Sequence, residues 1–356
     1  MFVFGKKQSS FGIDIGTQTI KITEISRKNN VFSIDNYSIW DDEIESFIQE
    51  KNNDTALSVQ EITKIISTML NASEMNIDKA YVALPSYLAF FAIISMPLLT
   101  PDELITAVPL EAKNHIPVPL KNIQLDWINL GKNKTQEKYN ILIIAIPNNI
   151  VSRYVEVAKS LDIEIQGFEL DCFSIIRSID LPQAQTCVID MGGRNSTVMI
   201  LNENKKLQAM QSFDFGGNQM TQSISQLKNI SIPEAENIKK QNGITGEDNL
   251  VSDLIKSKIK MFIENDVLKL ISNTKEIVDL NITNIVILGG SSKIKGVKDF
   301  VEILIKNNLD TKNITVSTAN PIKNLKVKGV ESNDKLLYIW CDLILSAGVA
   351  LKNYIE

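Results

Sequence analysis

Two aspartates set beside glycines offer the clearest chemistry in the chain. Phe11–Lys21 reads FGIDIGTQTIK and Cys187–Thr197 reads CVIDMGGRNST. Each is a run of strand-favouring residues that ends in Asp, then Gly, then a cluster of Thr, Ser, Asn or Gln. Gly16, Gly192 and Gly193 carry no Cβ, so the backbone can turn sharply and come close to a ligand. Successive N–H groups in such a turn make a concave anion site, and neighbouring hydroxyls add donors. An aspartate at its edge repels phosphate but can hold a hard divalent cation through water. Mg2+ favours one or two carboxylates plus phosphate oxygens, so Asp14 and Asp190 are the expected metal-holding groups. Taken singly, either segment reads as an ordinary β-hairpin with Gly in its turn. The pair is more specific, because Asp14 and Asp190 stand 176 residues apart, about one domain length. That spacing predicts an internally duplicated chain with one strand–turn–strand device in each half, the two gripping a polyphosphate and its Mg2+ from both sides.

A third turn extends the pattern. Asn284–Gly296 reads NIVILGGSSKIKG, a buried-type strand running into Gly289-Gly290-Ser291-Ser292. A lone Gly-Gly-Ser is usually just a turn. Three such turns after apolar strands, in the order Asp-Gly, Asp-Gly-Gly, Gly-Gly, resemble the phosphate-1, phosphate-2 and adenosine motifs of the actin-like ATPase superfamily. That superfamily includes actin, sugar kinases and chaperone ATPase domains.

The elements that must position these turns are legible from periodicity. Residues 11–15, 20–26 and 32–40 read as a strand meander, with Lys21 on the second strand, in reach of a phosphate or simply solvated. Ser58–Ala72 has apolar residues at helical spacing. Strands are predicted at Lys79–Leu84 and Phe90–Met96. A helix then starts at the capping box Thr100-Pro101-Asp102-Glu103 and runs to about His115, where Ile116-Pro117-Val118-Pro119 stops it. Strands at Gln124–Leu130 and Tyr139–Ile146 complete a β–β–α–β–β block that reads as an insert. Helix Asn149–Leu161, strand Ile163–Phe168 and short helix Leu170–Ile179 lead to the second device. Beyond it come strand Leu207–Phe213, helix Asn218–Leu227 and a second boxed helix from Ser231 to about Gln241. Helices at Leu250–Asn273, Lys293–Asn307 and Lys335–Asn353 follow. The expected domains are 1–77 and 149–185 as one actin-like half, 78–148 as the insert, and 186–333 as the other half with a helical part at about 216–280. Residues 334–356 form a C-terminal helix that returns to the first half.

Composition narrows the function. At 356 residues, two or three domains are expected, and 44% hydrophobic with 22% charged residues marks a globular chain. A net charge of −5 argues against nucleic acid as a partner. No apolar run reaches membrane-span length, and the apolar part of Met1–Lys7 is too short for a signal peptide. Cys172, Cys187 and Cys341 form no Cys-x-x-Cys, so disulfides and structural zinc are not expected. The single histidine, His115, leaves no multi-His metal site and is read as a helix-end or packing residue. A cytoplasmic location is expected.

The block between the two devices sharpens the resemblance. Val82–Trp127 reads VALPSYLAFFAIISMPLLTPDELITAVPLEAKNHIPVPLKNIQLDW, with Met96-Pro97, Glu103-Leu104, Glu111-Ala112 and Ile116-Pro117 in order. Together with Phe213–Thr221 (FDFGGNQMT) and Ala347-Gly348-Val349-Ala350-Leu351, it resembles the PilM family, the cytoplasmic actin-like proteins of type IV pilus assembly. The resemblance implies an α/β actin-like ATPase fold, two duplicated domains around a nucleotide cleft with an inserted ββαββ-type subdomain. It implies ATP and Mg2+ as ligands, a slow ATPase at most, and docking of the N-terminal cytoplasmic tail of a PilN-like inner-membrane protein. Other pilus platform or motor proteins and self-association are further implied contacts, and the chain would lie peripheral to the inner membrane through its partners. By position, Gly16, Thr17, Gln18, Thr19 and Lys21 would contact the β- and γ-phosphates, and Gly192, Gly193, Ser196 and Thr197 the other side. Gly289, Gly290 and Ser291 would line the adenosine pocket. Glu236 and Lys239 match a ribose- and adenine-contacting Glu-x-x-Lys, a pair that otherwise reads as a surface salt bridge.

One departure concerns hydrolysis. Where the family's linking helix starts with an Asp-x-Glu-Pro type sequence, this chain has Glu169-Leu170-Asp171-Cys172. Glu169 and Asp171 are the candidate water-orienting carboxylates, or else plain helix N-terminal charges. Two other functions share the fold. A small-molecule kinase or generic ATPase would need a further acidic motif for its substrate. The division actin FtsA should carry a basic amphipathic C-terminal helix, whereas this sequence closes on Asn353-Tyr354-Ile355-Glu356.

Overall fold

In the computed structural model of the chain, the described residues between 9 and 41 form an antiparallel meander. The structure describes residues 9–16, 19–41, 57–133, 135, 137–309, 314–330 and 333–355, the side chains of 333–338 excepted. The meander consists of β1 (Ser9–Ile15), β2 (Thr19–Lys28) and β3 (Val31–Asp41). Ile20, Ile22 and Ile25 of β2 are fully buried, the place for β-branched side chains on a packed sheet face. Along the chain follow β4 (Lys79–Leu84), β5 (Phe90–Pro97), β6 (Ile123–Lys132), β7 (Lys138–Pro147) and β8 (Glu164–Leu170). Then come β9 (Thr186–Met191), β10 (Ser196–Leu201), β11 (Leu207–Phe213), β12 (Asn284–Leu288), β13 (Thr315–Thr318) and β14 (Leu325–Val327). The described residues pack as two units. One comprises Met1–Ser86, Val151–Leu181 and Ala319–Glu356, the other Tyr87–Ile150 and Pro182–Thr318.

The first unit is built on a six-stranded sheet of order β14-β3-β2-β1-β4-β8. β4 pairs in parallel with both β1 and β8. Its consecutive buried residues Val82, Ala83 and Leu84 fit a parallel strand covered on both faces. The strand expected to open the inserted block thus belongs to this sheet. Helix Asn333–Leu351 packs on it at backbone distance. A Cβ on Gly12 of β1 would stand 1.9 Å from the Ser346 carbonyl oxygen and 2.8 Å from the Ala350 nitrogen. A Cβ on Gly348 would stand 2.2 Å from the Ser174 carbonyl oxygen of helix Asp171–Ser178. Between them, the buried hydroxyls of Thr23 and Ser346 share a 2.7 Å hydrogen bond.

The second unit repeats the plan. Its five-stranded sheet has the order β11-β10-β9-β12-β13, matching β3-β2-β1-β4-β8 strand for strand. The directions agree too, an antiparallel meander followed by two parallel additions. The registers coincide as well: Asp14 faces Lys21 across the first hairpin, and Asp190 faces Thr197 across the second. The duplication read from the two Asp-Gly phrases is present in the topology.

The insert contributes its own sheet, β5-β7-β6, covered by helix Pro101–Ala112. With β4 in the other sheet, the insert's own layer is a strand, a helix and two strands. The helix starts on the Thr100–Glu103 capping box, the Glu103 carboxylate accepting the Thr100 N–H at 2.8 Å. It ends at Ala112, three residues short of His115, because Ile116 precedes Pro117 and is steered out of the helical region. The chain unwinds through the tighter bonds Asn114 N–H to Glu111 and His115 N–H to Ala112.

The long helix of the second unit carries a correction of phase. Buried Ile255, Ile259, Ile263, Val267 and Ile271 recur at every fourth position. In a regular α-helix at about 100° per residue, such a row drifts about 40° per step. The wider turn at Ile263–Val267, a π-helical segment between Asn249–Phe262 and Leu268–Ile277, absorbs the drift and keeps one apolar face inward. The helix expected at Lys293–Asn307 begins only at Val297, because Gly296 at φ +82° breaks it from the short 3-10 turn Gly290–Lys293. Among the described residues, no helix is long and apolar enough to cross a membrane.

Candidate functional site

In the first unit, the end of β1 gathers two carboxylates and an ammonium. Asp14 is 4% exposed, and Lys21 on β2 places its Nζ 3.4 Å from Asp14 Oδ2. Gly16 N–H donates to the Thr19 carbonyl at 2.9 Å and closes the turn. Thr17 and Gln18 lie outside the described residues. Asp171, the first residue of helix Asp171–Ser178, accepts a hydrogen bond from the buried Ser86 hydroxyl at Oδ1. That hydroxyl also lies 3.4 Å from the Cys172 N–H, which donates to it. Burial pushes the Asp171 carboxyl up to about 6, against the opposing effect of Ser86, and the nearby Asp14 charge adds to the rise. Burial raises Asp14 as well, with Lys21 offsetting part of it. Two neighbouring carboxylates with one ammonium, which pairs with Asp14, are short of positive charge, the electrostatic condition for taking a cation.

Glu169 has a different setting from Asp171. Arg177 clamps it with two N–H groups, Nη2 to Oε1 at 2.6 Å and Nη1 to Oε2. Ser174 Oγ donates to Oε2 at 2.9 Å, and Lys352 Nζ lies 3.6 Å from Oε1. Arg177 also donates to the Gly348 carbonyl at 3.2 Å. Both oxygens of Glu169 are therefore engaged in fastening β8 to the two helices, and of the expected pair it is Asp171 that stands beside Asp14.

In the second unit, the predicted residues converge around the Gly192-Gly193 turn. Gly192 O accepts from Gly217 N–H and from Ser291 Oγ, each at 3.0 Å, and Gly193 O accepts from Asn218 N–H at 2.8 Å. The start of helix Gly217–Lys228 and the turn after β12 are thus both pinned to the Asp190 hairpin. Gly289 adopts φ +84°, and a Cβ there would stand 2.4 Å from Asp190 Oδ1, so only glycine lets the β12 turn approach that carboxylate. At Gly290 a Cβ would meet no protein atom within 4 Å. No packing within the chain demands glycine there. Ser196 and Thr197 are placed inside the sheet, with Ser196 Oγ donating to Phe215 O at 2.8 Å and Thr197 Oγ1 bonded to Ser212 Oγ at 3.0 Å.

Glu236 and Lys239 lie on the boxed helix Ile232–Asn242, and far from being a solvated surface pair they are largely buried. Their oxygen and nitrogen are 2.6 Å apart. Burial works against the Glu236 charge, yet Lys239, the Thr221 hydroxyl and Lys240 together hold the carboxyl below its usual range. Thr221 and Ser86 went unassigned in the sequence. Thr221 closes the FDFGGNQMT phrase and Ser86 follows Pro85, but only the fold shows which carboxylates they reach. Among the described residues no three acidic, His or Cys side chains cluster as a self-sufficient metal cage. An Mg2+ here would complete its shell with water and phosphate oxygens, as that ion prefers.

Comparison with known proteins agrees with this architecture. The family described as type IV pilus assembly protein PilM matches residues 12–354. A chain from the solved PilM-PilN type IV pilus biogenesis complex superposes with a TM-score of 0.79 at 16% identity, covering 98% of this chain and 100% of that one. The ethanolamine utilization protein EutJ from Carboxydothermus hydrogenoformans superposes with a TM-score of 0.57 at 12% identity, covering 97% of this chain and 89% of the other. At these identities the two likenesses speak for the fold, α/β and actin-like. A family match from residue 12 to residue 354, across both aspartate hairpins and the insert between them, makes the chain a member of the PilM family of type IV pilus assembly proteins.

Proposed function

We propose that this PilM-family chain is a Mg-ATP-binding assembly protein of the type IV pilus inner-membrane platform, with ATP as a structural ligand or switch and a slow ATPase at most. It docks the N-terminal cytoplasmic tail of a PilN-like membrane protein and lies at the cytoplasmic face of the membrane through that partner. The observation that carries this reading is the family match over residues 12–354, made chemically concrete by an aspartate hairpin of the same register in each unit.

The residues fit the ligand. Gly289 and Gly290 give the β12 turn a bare backbone next to Asp190, and Gly217 lets the start of its helix close on Ser291 and Lys239. Asp14 and Asp190 hold Mg2+ through water. Lys21, Gly16, Thr17, Gln18 and Thr19 serve phosphates, as do Gly192 and Gly193. Glu236, Ser291 and the Gly289-Gly290 turn serve the nucleoside. The Asp14 and Asp171 carboxylates would be offset by the Mg2+ that accompanies ATP, the nucleotide itself being anionic. Asp171, held by Ser86, orients water if the nucleotide is hydrolysed.

The test is a calorimetric titration with Mg-ATP, followed by a labelled peptide of the partner's N-terminal tail with and without nucleotide. Asp190→Ala is expected to weaken Mg-ATP binding about tenfold or more, roughly 1.4 kcal/mol. Unaltered binding by that variant would remove Asp190 from the site. Saturable peptide binding that shifts with nucleotide supports a switch, and binding blind to nucleotide makes ATP a structural ligand. Absence of peptide binding in either state removes the docking role.

A further inference from the structure

Helix Asn249–Phe262 carries two apolar faces. Val251, Ile255, Ile259 and Phe262 are buried in the core of the second unit. At about 100° per residue, Leu250, Leu254, Ser257 and Met261 fall within about 60° of one another on the outer side. Leu250 is 65% exposed and Met261 59%, with Leu254 half-buried between them. The stripe is about 17 Å long at a rise of about 1.5 Å per residue. It stops at the π-helical segment, because the exposed residues from there to Asn273 are Asn265, Lys269, Ser272 and Asn273. An apolar row of that length left in water marks a surface that meets something else.

The charges beside the stripe select its occupant. By the same helical spacing, Lys258 stands on one flank of the row and Lys260 on the other, with Lys256 beyond it. The helix holds these three lysines against one aspartate, Asp253. The acidic groups nearby are already engaged. Asp253 pairs with Lys256 at 3.4 Å, Glu264 lies 3.9 Å from Lys260, and Asp248 pairs with Lys228. Lys258 has no ion pair among the described residues. The insert's helix shows the contrary arrangement. Its exposed Ile105 and Leu110 stand about 140° apart, so they form no row, and Asp102, Glu103 and Glu111 accompany them. An anionic surface would repel that face and attract the lysine-flanked one.

Leucine and methionine in one row between lysines suit a helix lying in a lipid interface. Acyl chains meet the row, and the lysine stems reach outward to anionic headgroups. The net charge of −5 opposes approach, but at physiological salt charges beyond about 8 Å are largely screened. The lysines are then the charges felt at the contact. We propose that the outer face of helix Asn249–Phe262 is a direct membrane-contact surface that seats Leu250, Leu254 and Met261 on an anionic bilayer. The contact is weak by itself and sets the orientation of a chain that other interactions bring to the membrane. The inference goes beyond the function proposed above, in which the membrane is reached through a partner, and depends on neither nucleotide nor tail binding.

The experiment is co-sedimentation of the full chain with vesicles of equimolar phosphatidylglycerol and phosphatidylcholine, and with vesicles of phosphatidylcholine alone. Melting curves and sedimentation velocity without lipid run alongside. At about 50 mM salt, wild type is expected to partition onto the anionic vesicles about fivefold or more above the neutral ones, and to lose that preference at about 300 mM. Leu250→Ser with Met261→Ser, and separately Lys258→Gln with Lys260→Gln, should each lower partition about tenfold or more, since each lysine near an anionic surface is worth about fivefold. Ile105→Ser with Leu110→Ser should leave it unchanged. The lysine pair belongs to no core cluster and keeps the test decisive if the serine pair lowers stability. No partition by wild type, equal partition onto neutral vesicles, or partition that both pairs leave unchanged would overturn the proposal. Self-association without lipid that the serine pair abolishes, with no vesicle binding, would make the face an interface between chains and also overturn it. Any of these failures leaves the nucleotide and tail readings standing.

Discussion

Alanine at position 12 or 348 is expected to destabilise the first unit by about 4 kcal/mol or more, enough to leave much of the protein unfolded at 37 °C. The reason is backbone against backbone. At Gly12 the new methyl would stand 1.9 Å from Ser346 O, and at Gly348 it would stand 2.2 Å from Ser174 O. Neither obstacle is a side chain that can rotate away. Relief requires helix Asn333–Leu351 to retreat by more than an ångström from β1 or from helix Asp171–Ser178. Overpacking of this kind costs about 1–3 kcal/mol by itself. The retreat also parts the 2.7 Å hydrogen bond between the buried Thr23 and Ser346 hydroxyls, adding about 1–3 kcal/mol for each polar group left unmet. Against a net stability of about 5–15 kcal/mol, the sum is severe. Gly290→Ala provides the control, since its methyl meets no protein atom within 4 Å. That variant should melt like wild type, and any loss it shows should be in Mg-ATP affinity. Thermal melts of the three proteins decide the matter. A drop of less than about 2 °C for Gly12→Ala would mean the helix is not seated on β1 as described.

How much of this was legible in the chain depends on range. The local devices were readable. The Asp-Gly hairpins, the Thr100 and Ser231 capping boxes and the Gly turn after β12 all follow from residues within a few positions of one another, and they stand where they were expected. What failed was choice of partner. Lys79–Leu84 reads as a strand in any setting, but whether it joins the insert's sheet or lies between β1 and β8 depends on pairings across tens of residues. Glu169 and Asp171 look equivalent by spacing, since alternate residues of a strand share a face. The strand ends at Leu170 and the helix begins at Asp171, so alternation stops between them. Arg177 then folds back onto Glu169 and leaves Asp171 to Ser86 and Asp14. The spacing of Lys239 to Glu236 implies a ligand-facing ammonium because a sequence cannot count acceptors supplied by another helix, here Gly217 and Thr221.

Asp171→Asn should make the nucleotide-free, metal-free protein more stable at neutral pH while removing its best candidate for orienting water. Burial, outweighing the Ser86 hydrogen bond, lifts the Asp171 carboxyl from 3.8 to about 6, with the Asp14 charge adding to the rise. A raised carboxyl pKa means the folded chain holds the proton more tightly than the unfolded one. Stability from this group therefore falls as pH rises from about 4 to about 6, and above that the full penalty for the buried charge persists. At 1.36 kcal/mol per pKa unit, the penalty approaches about 3 kcal/mol as an upper bound. Asparagine keeps an oxygen to accept from Ser86 and carries no charge beside Asp14, so the variant escapes the penalty. Denaturant melts are expected to show Asp171→Asn more stable than wild type by up to about 3 kcal/mol at pH 8, with the two curves converging near pH 4. Equal stability at pH 8, or a variant weaker at every pH, would show that Asp171 bears no such cost. A carboxylate retained at that expense, when asparagine would pack as well, is best explained by work on a ligand. Mg2+ should accordingly narrow the gap, because it brings the positive charge that the Asp14–Asp171 pair lacks.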